Sequence, residues 1–339
     1  MKASSHLFAS ALVALSMTGC VVVVTEEPVT LGNKMVPRVQ LPQTQKTTPA
    51  YKQILYVDPV EGTDNPTVGQ TETQPLQTIT YALKQSNPGT VIQLAPGEYS
   101  AQTGEIFPLE LKAGVTLRGN EAQQGEGVKI IGGGDYLSRT WAKQNVTIVA
   151  AEKTEIAGVT VTNRNRSGTA IWVESTAPTI RNSRLVNSDR EGIFVTGNAA
   201  PRIENNRIAD NGGNGISLTH NTAGEIRGNQ IENTGFGLAI GGDAAPLVAD
   251  NQIRNNLDGL VITHSARPIL RGNAIVENQR DGLVAISESQ PDLGTATAEG
   301  NNMFANNGRY DVQNAAKQQN LVAVGNQLTG DRVLGVQLQ

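Results

Sequence analysis

One period governs the second half of the chain. Pro178, Pro201, Pro246, Pro268 and Pro291 recur, with Gly224 standing in once, at successive steps of 23, 23, 22, 22 and 23 residues. A second column, Gly192, Gly215, Gly237, Gly259 and Gly282, keeps the same phase, each glycine followed by Ile or Leu. A third runs through Asn206, Asn229, Asn251, Asn273, Asn301 and Asn326, each two residues ahead of an apolar side chain. Three columns in register mark a solenoid, in which each repeat is one structural unit that contacts its neighbours. Within a repeat, Ile193 and Val195, then Ile203, then Ile208 fall in short alternating pieces separated by Gly, Asn and Pro, which fits short strands rather than helices. A leucine-rich repeat has a similar length, but it wants a Leu-dominated ladder, and here Ile and Val dominate. The pattern therefore predicts an all-β fold, a parallel β-helix whose coils of 22 to 23 residues stack strand on strand about 4.8 Å apart.

Composition agrees and narrows the function. Charged residues are only 17% of the chain and aromatics 4%, whereas 36 glycines are spread throughout, which excludes a coiled coil or helical bundle. The 38% of apolar residues suffices for a large core and argues against disorder. With 27 basic and 31 acidic side chains and no basic run, the footprint that nucleic acid demands is missing. No nucleic-acid partner, cofactor or metal is expected, and the chain is expected to be a monomer.

The first 19 residues have the layout of a secretory signal: Met1 and Lys2, an apolar run of eleven from Leu7 to Met17, then small residues before a thiol. The run is too short to span a bilayer, which takes about 20 residues. Ser16-Met17-Thr18-Gly19-Cys20 resembles a bacterial lipobox, which implies cleavage before Cys20 and lipidation of its sulfur. Cys20 is the single cysteine, so no structural disulfide can form. Val21 is unlike the aspartate that retains some lipoproteins in the inner membrane, so a lipid anchor in the cell envelope, at the outer membrane, is the expected location. Residues 20–53, with Pro28, Pro37, Pro42 and Pro49 among polar residues, read as a flexible tether. A single folded domain is expected over 54–339, with an N-terminal cap and first coils over 54–120 and regular repeats over 155–339.

The repeat resembles the right-handed β-helix proteins of the pectin-lyase-like superfamily. The front end is similar, more narrowly, to the bacterial domain of unknown function 1565, through Tyr56-Val57-Asp58, Gly62-Thr63-Asp64, Pro75-Leu76-Gln77-Thr78-Ile79, Leu94-Ala95-Pro96-Gly97-Glu98-Tyr99, and Phe107-Pro108-Leu109 followed by Gly114-Val115-Thr116-Leu117. Gly308-Arg309-Tyr310-Asp311 and Ala323-Val324-Gly325-Asn326 look like closing coils of such proteins. This resemblance implies a right-handed coil and is nearly silent on activity. Leu76, Ile79, Ala82 and Leu83 share one helical face behind Pro75, so a short helix is expected to cap the open first coil.

Four groups of residues offer chemistry. Trp172 and Phe194 begin an outward column continued by Ser217, Ala239, Val261 and Val284, so two stacked rings are expected either to form a sugar platform or to lie under a loop from 100–145. Asp258 and Asp281, just ahead of the glycine column, put carboxylates on successive coils roughly 5 Å apart, a spacing that resembles a retaining glycosidase pair, with Arg190 and Arg280 beside them. Asp before Gly is also ordinary turn chemistry, the side chain bonding its own backbone, and that reading is preferred. His220 and His264 share a position two coils apart, too far for joint metal ligation. Arg181, Glu204 and Arg227 form an outward ladder of alternating charge expected to be a mutually compensated face. Neither the Asn-Thr-Asp, Asp-Asp and Gly-His-Gly set of polygalacturonases nor the calcium aspartates and catalytic Arg of pectate lyases can be placed. The expected function is a noncatalytic envelope lipoprotein whose β-helix binds polysaccharide or a surface partner. The alternative is a polysaccharide-active lyase, glycoside hydrolase or epimerase.

Overall fold

The computed structural model describes residues 29–31, 34–36, 51–317 and 321–338. Cys20 and the signal segment lie outside them. The chain divides at Pro49 and Ala50 into two units. In the first, Val29–Leu31 pairs antiparallel with Lys34–Val36, inside the segment read as a tether.

The second unit is the solenoid. Alternating apolar residues and left-handed turns allow each coil three short strands, and each strand joins a different parallel sheet. One coil runs from Ile193–Thr196 in sheet A to Arg202–Glu204 in sheet B and Arg207–Ala209 in sheet C, before Ile216–Leu218 returns to sheet A. Sheet A has 11 strands and sheets B and C have 9 each. Inward residues stack into columns. Ile193, Ile216, Leu238, Leu260 and Leu283 form one in sheet A. Ile180, Ile203, Ile226 and Val248 form one in sheet B, and Leu185, Ile208, Ile231, Ile253 and Ile275 form one in sheet C. All are buried, each contributing about 1.5–3 kcal/mol of transfer free energy against the entropy of ordering the chain.

Backbone geometry explains the two polar columns. The step from sheet B to sheet C is a two-residue turn whose first residue is left-handed, at Asn182, Asn205, Gly228, Asp250 and Gly272. The next residue opens the asparagine ladder. Asn229 Oδ1 accepts from the backbone N–H and Nδ2 of Asn206 at 3.0 Å, and Asn229 Nδ2 donates to Ile203 O at 2.8 Å. Asn251 and Asn273 repeat the pattern. The fifth rung differs from expectation: Asn273 pairs with Asn302, not Asn301, and Phe304, not Met303, points inward. The coil between them is 29 residues long because a hairpin, Gly294–Thr295 with Ala298–Glu299, is inserted, and the extra residues move the column by one. A second buried ladder, through Asn256, Asn278 and Asn307, fastens the step from sheet C to sheet A.

The glycine column answers to close approach. A Cβ on Gly215 would lie 2.6 Å from the carbonyl oxygen of Gly237, and one on Gly237 would lie 2.6 Å from that of Gly259.

The capping helix is Ile79–Gln85, with Ile79, Ala82 and Leu83 buried. Thr78 Oγ1 accepts from Tyr81 N at 3.0 Å, and Asp64 Oδ1 accepts from the N–H groups of Gln77 and Thr78 at 2.9 and 3.0 Å, so Gly62-Thr63-Asp64 and Pro75-Leu76-Gln77-Thr78-Ile79 are two halves of one cap. Buried Glu105 accepts from Ile79 N, Thr80 N and Thr80 Oγ1, and desolvation raises its carboxyl above the usual range despite those bonds. Tyr99 ties the first two coils together, its hydroxyl donating to Val57 O and Ala95 O. Among the described residues no helix is long and apolar enough to cross a membrane.

Candidate functional site

The outer face of sheet A carries the chemistry-bearing residues. Its central column runs Val149, Trp172, Phe194, Ser217, Ala239, Val261, Val284 and Gln313, strand to strand. Trp172 and Phe194 stack with centroids 4.4 Å apart and planes 5° from parallel. They are not a platform. Trp172 is 0% and Phe194 5% exposed, because a hairpin in which Gly134–Leu137 pairs antiparallel with Lys143–Val146 folds over them. Tyr136 lies against Trp172, and Trp141 meets Phe194 edge-on at 5.5 Å. Trp141 is the most exposed aromatic of this cluster, at 43%. This hairpin lies outside the repeat, so the period gave no sign of how it would fold.

Glu174 fastens the hairpin. Its carboxylate accepts from Tyr136 Oη, Ser138 Oγ, Thr140 N and Thr140 Oγ1 at 2.7–3.0 Å. Burial raises its pKa, but the hydrogen bonds outweigh that and hold it below its ordinary value of 4.5. The same contact pushes the Tyr136 hydroxyl up to about 12, burial being the larger cause.

Beyond the hairpin the column narrows to Ser217, Ala239, Val261 and Val284, a straight strip of small side chains. The five strands from Ser217 to Gln313 span about 19 Å. Ala239, Val261 and Val284 are partly exposed.

Along one edge stands the acidic column. Asp258, Asp281 and Asp311 are each no more than 2% exposed. They do not bond their own turns as expected. Asp258 Oδ1 accepts from Asp281 N at 3.0 Å, and Asp281 Oδ1 accepts from Tyr310 N at 3.0 Å, so each carboxylate takes the backbone amide of the following coil. Asn214 holds Phe236 N in the same way. Each aspartate also has its own arginine: Arg280 for Asp258, Arg309 for Asp281 and Arg332 for Asp311. Its hydrogen bond to Asp258 raises the Arg280 pKa. Arg190 is engaged by Glu191, which also accepts from Thr169 Oγ1 at 2.8 Å. Asp258 and Asp281 are thus each paired with an arginine and with a backbone amide of the following coil. Arg309 was missed because its distance in sequence from Asp281 contains the 29-residue coil.

The opposite edge is a left-handed column, Gly197, His220, Gly242, His264 and Ser287. A Cβ on Gly242 would lie 2.5 Å from His220 N. His220 Nδ1 is 3.1 Å from Thr196 Oγ1, and Trp141 stands edge-on to the imidazole with centroids 6.3 Å apart. Among the described residues no three His, Cys, Asp or Glu side chains gather as metal ligands.

The charge ladder on sheet B keeps its expected register, Arg181 beside Glu204 beside Arg227, but its ion pairs differ. Glu204 pairs with Arg202 on its own strand, Arg227 with Glu225 and Asp250, and Arg181 with Glu121 and Glu155. A separate cavity of about 410 Å³ opens on the first strands of this sheet, lined by Tyr56, Glu72, Pro75, Gln93, Pro96 and Arg118 among others. It lies away from the sheet A strip.

Comparison with known proteins bears on the fold. A family described as a protein of unknown function, DUF1565, matches residues 60–332. The structure of pectate lyase Pel9A is similar, with a TM-score of 0.56 and 13% identity, over 84% of this chain and 78% of that one. XylC in complex with xylose is similar at a TM-score of 0.56 and 12% identity, over 82% of this chain and 70% of that one. A search of curated proteins found no match. The chain belongs to the DUF1565 family, and its fold is a right-handed parallel β-helix of the pectin-lyase-like kind.

Proposed function

We propose that the protein is a noncatalytic lipoprotein of the cell envelope, anchored through Cys20 at the outer membrane, that binds polysaccharide along the outer face of sheet A. The observation that carries this reading is the commitment of the acidic column. A glycosidase pair needs one carboxyl kept protonated and a second free to attack or to activate water. Asp258 and Asp281 each have an arginine and a backbone amide. The strip of small residues between them and the hydroxyls of Thr219 and Thr263 is straight, and its Ala239, Val261 and Val284 are partly exposed. Trp141 stands at its end with aromatic surface exposed, the surface a sugar ring covers.

The test combines a glycan array with assays for new reducing ends and unsaturated products on acidic and neutral polysaccharides. Binding without product formation is the expected result. Product release that disappears in Asp281→Asn would establish the enzymatic reading instead.

A further inference from the structure

A run of hydroxyls on the edge of sheet A joins Glu174 to His220. Glu174 accepts from four donors, so it is an ionised acceptor, and the Thr140 hydroxyl, 2.8 Å from Oε1, spends its single proton on it. Thr140 Oγ1 lies 3.0 Å from Thr196 Oγ1, and with its own proton committed it can only accept there. Thr196 therefore donates to Thr140 and has only lone pairs left for His220 Nδ1 at 3.1 Å. The proton must sit on Nδ1. Three hydroxyl-mediated contacts thus transmit the charge of Glu174 to the imidazole and fix its tautomer, leaving Nε2 as the acceptor nitrogen of an exposed residue.

We propose that His220 and Trp141 form an end subsite for a sugar ring, in which His220 Nε2 accepts a hydroxyl and the exposed indole covers the ring's apolar face. The proposal rests on the polysaccharide-binding reading and adds a named acceptor to it. Three features support it. Trp141 is edge-on to both Phe194 and His220, at 85° and 89°, so two contacts fix its plane. The hairpin that carries it is held by Glu174, the same carboxylate that orients the imidazole. Gly242 on the next coil puts no side chain against His220, where a Cβ would lie 2.5 Å from its backbone N. An imidazole with a free Nε2 and an engaged Nδ1–H is also the arrangement of a general base. Here the carboxylates across the strip are already committed to arginines, so the lone pair is assigned to recognition.

Two measurements on the folded protein test this. Two-bond ¹⁵N–¹H correlation spectra at pH 8, assigned with His220→Asn, report the tautomer; Asn tolerates the left-handed backbone at 220. The wild type is expected as Nδ1–H, the reverse of the free side chain's preference, and Thr196→Val is expected to move it to Nε2–H. Titration with unbranched neutral tetrasaccharides that score on the array is then expected to show an affinity about fivefold to tenfold weaker for both Thr196→Val and His220→Asn, the loss of one hydrogen bond. An Nε2–H wild type overturns the relay. An Nδ1–H wild type whose affinity is unchanged in both variants overturns the subsite. Absence of any glycan binding removes the subsite together with the polysaccharide reading, whereas weakened binding in the variants with a changed tautomer supports both. Product release lost in His220→Asn would replace recognition by catalysis.

Discussion

Asp281 has no exposed surface yet carries a charge, a state sustained by one arginine and one backbone amide from the following coil. Asn214 holds the equivalent amide without any charge, so the hydrogen bond is the larger structural need. Asp281→Asn is therefore expected to cost no more than about 1 kcal/mol, and Asp281→Ala, which orphans Tyr310 N, about 1–3 kcal/mol, in urea unfolding. The aromatic pair separates along the same lines. Trp172→Ala should cost about 3–5 kcal/mol, the price of a large buried void, whereas Trp141→Ala should leave the melting temperature nearly unchanged and weaken glycan binding. Glu174 gives the hairpin a pH dependence. Its folded pKa is depressed, so its contribution is complete above the ordinary value of 4.5 and is lost as pH falls through the lower folded value. Tryptophan fluorescence should report release of the hairpin in that acid window, and Glu174→Gln should show the released signal already at pH 7. Trp172 and Phe194 were legible as neighbours because a fixed period sets the register. Their cover was not, since Tyr136 and Trp141 lie in a stretch with no repeat to place them.

At the scale of the element, the coil is held by columns that act between coils rather than within one. Gly237→Ala would set a methyl 2.6 Å from the Gly259 carbonyl oxygen and against Ile253, so two sheets would have to part locally. Asn251→Ala would remove the acceptor of Asn229 N and Nδ2 and the donor to Ile226 O. Each of those three losses is worth about 1–3 kcal/mol, and a drop in melting temperature well beyond that of a surface substitution is expected. A shift indistinguishable from zero in either variant would contradict the register. The sequence carried this level of structure almost whole, because glycine and asparagine recur wherever the geometry repeats. It misplaced Asn301 for a local reason: an inserted hairpin leaves the fold intact while breaking the count that a reader relies on. It also hid the second ladder, since Ser188 and Thr234 stand in for Asn on some rungs.

The whole molecule is a stack in which most contacts join adjacent coils, so damage to one inner column spreads along the axis. Ile231→Asp would bury a charge between the Ile208 and Ile253 layers with no partner, and strong thermal destabilisation is expected. The proposed anchor precedes in sequence the residues that form this stack. Cys20→Ser should therefore move the protein from the membrane pellet to the soluble envelope extract with its melting curve unchanged, and retention in the pellet would remove the lipidation proposal. Between Ile193 and Leu283 each coil offers its successor the same glycine backbone and inward aliphatic column that it receives from its predecessor. A stretch of gene encoding 22 residues can accordingly be duplicated or lost in frame without leaving a seam, while a shift of half that length would take the inward side chains out of their columns. Descent in such a chain acts on length before it acts on chemistry.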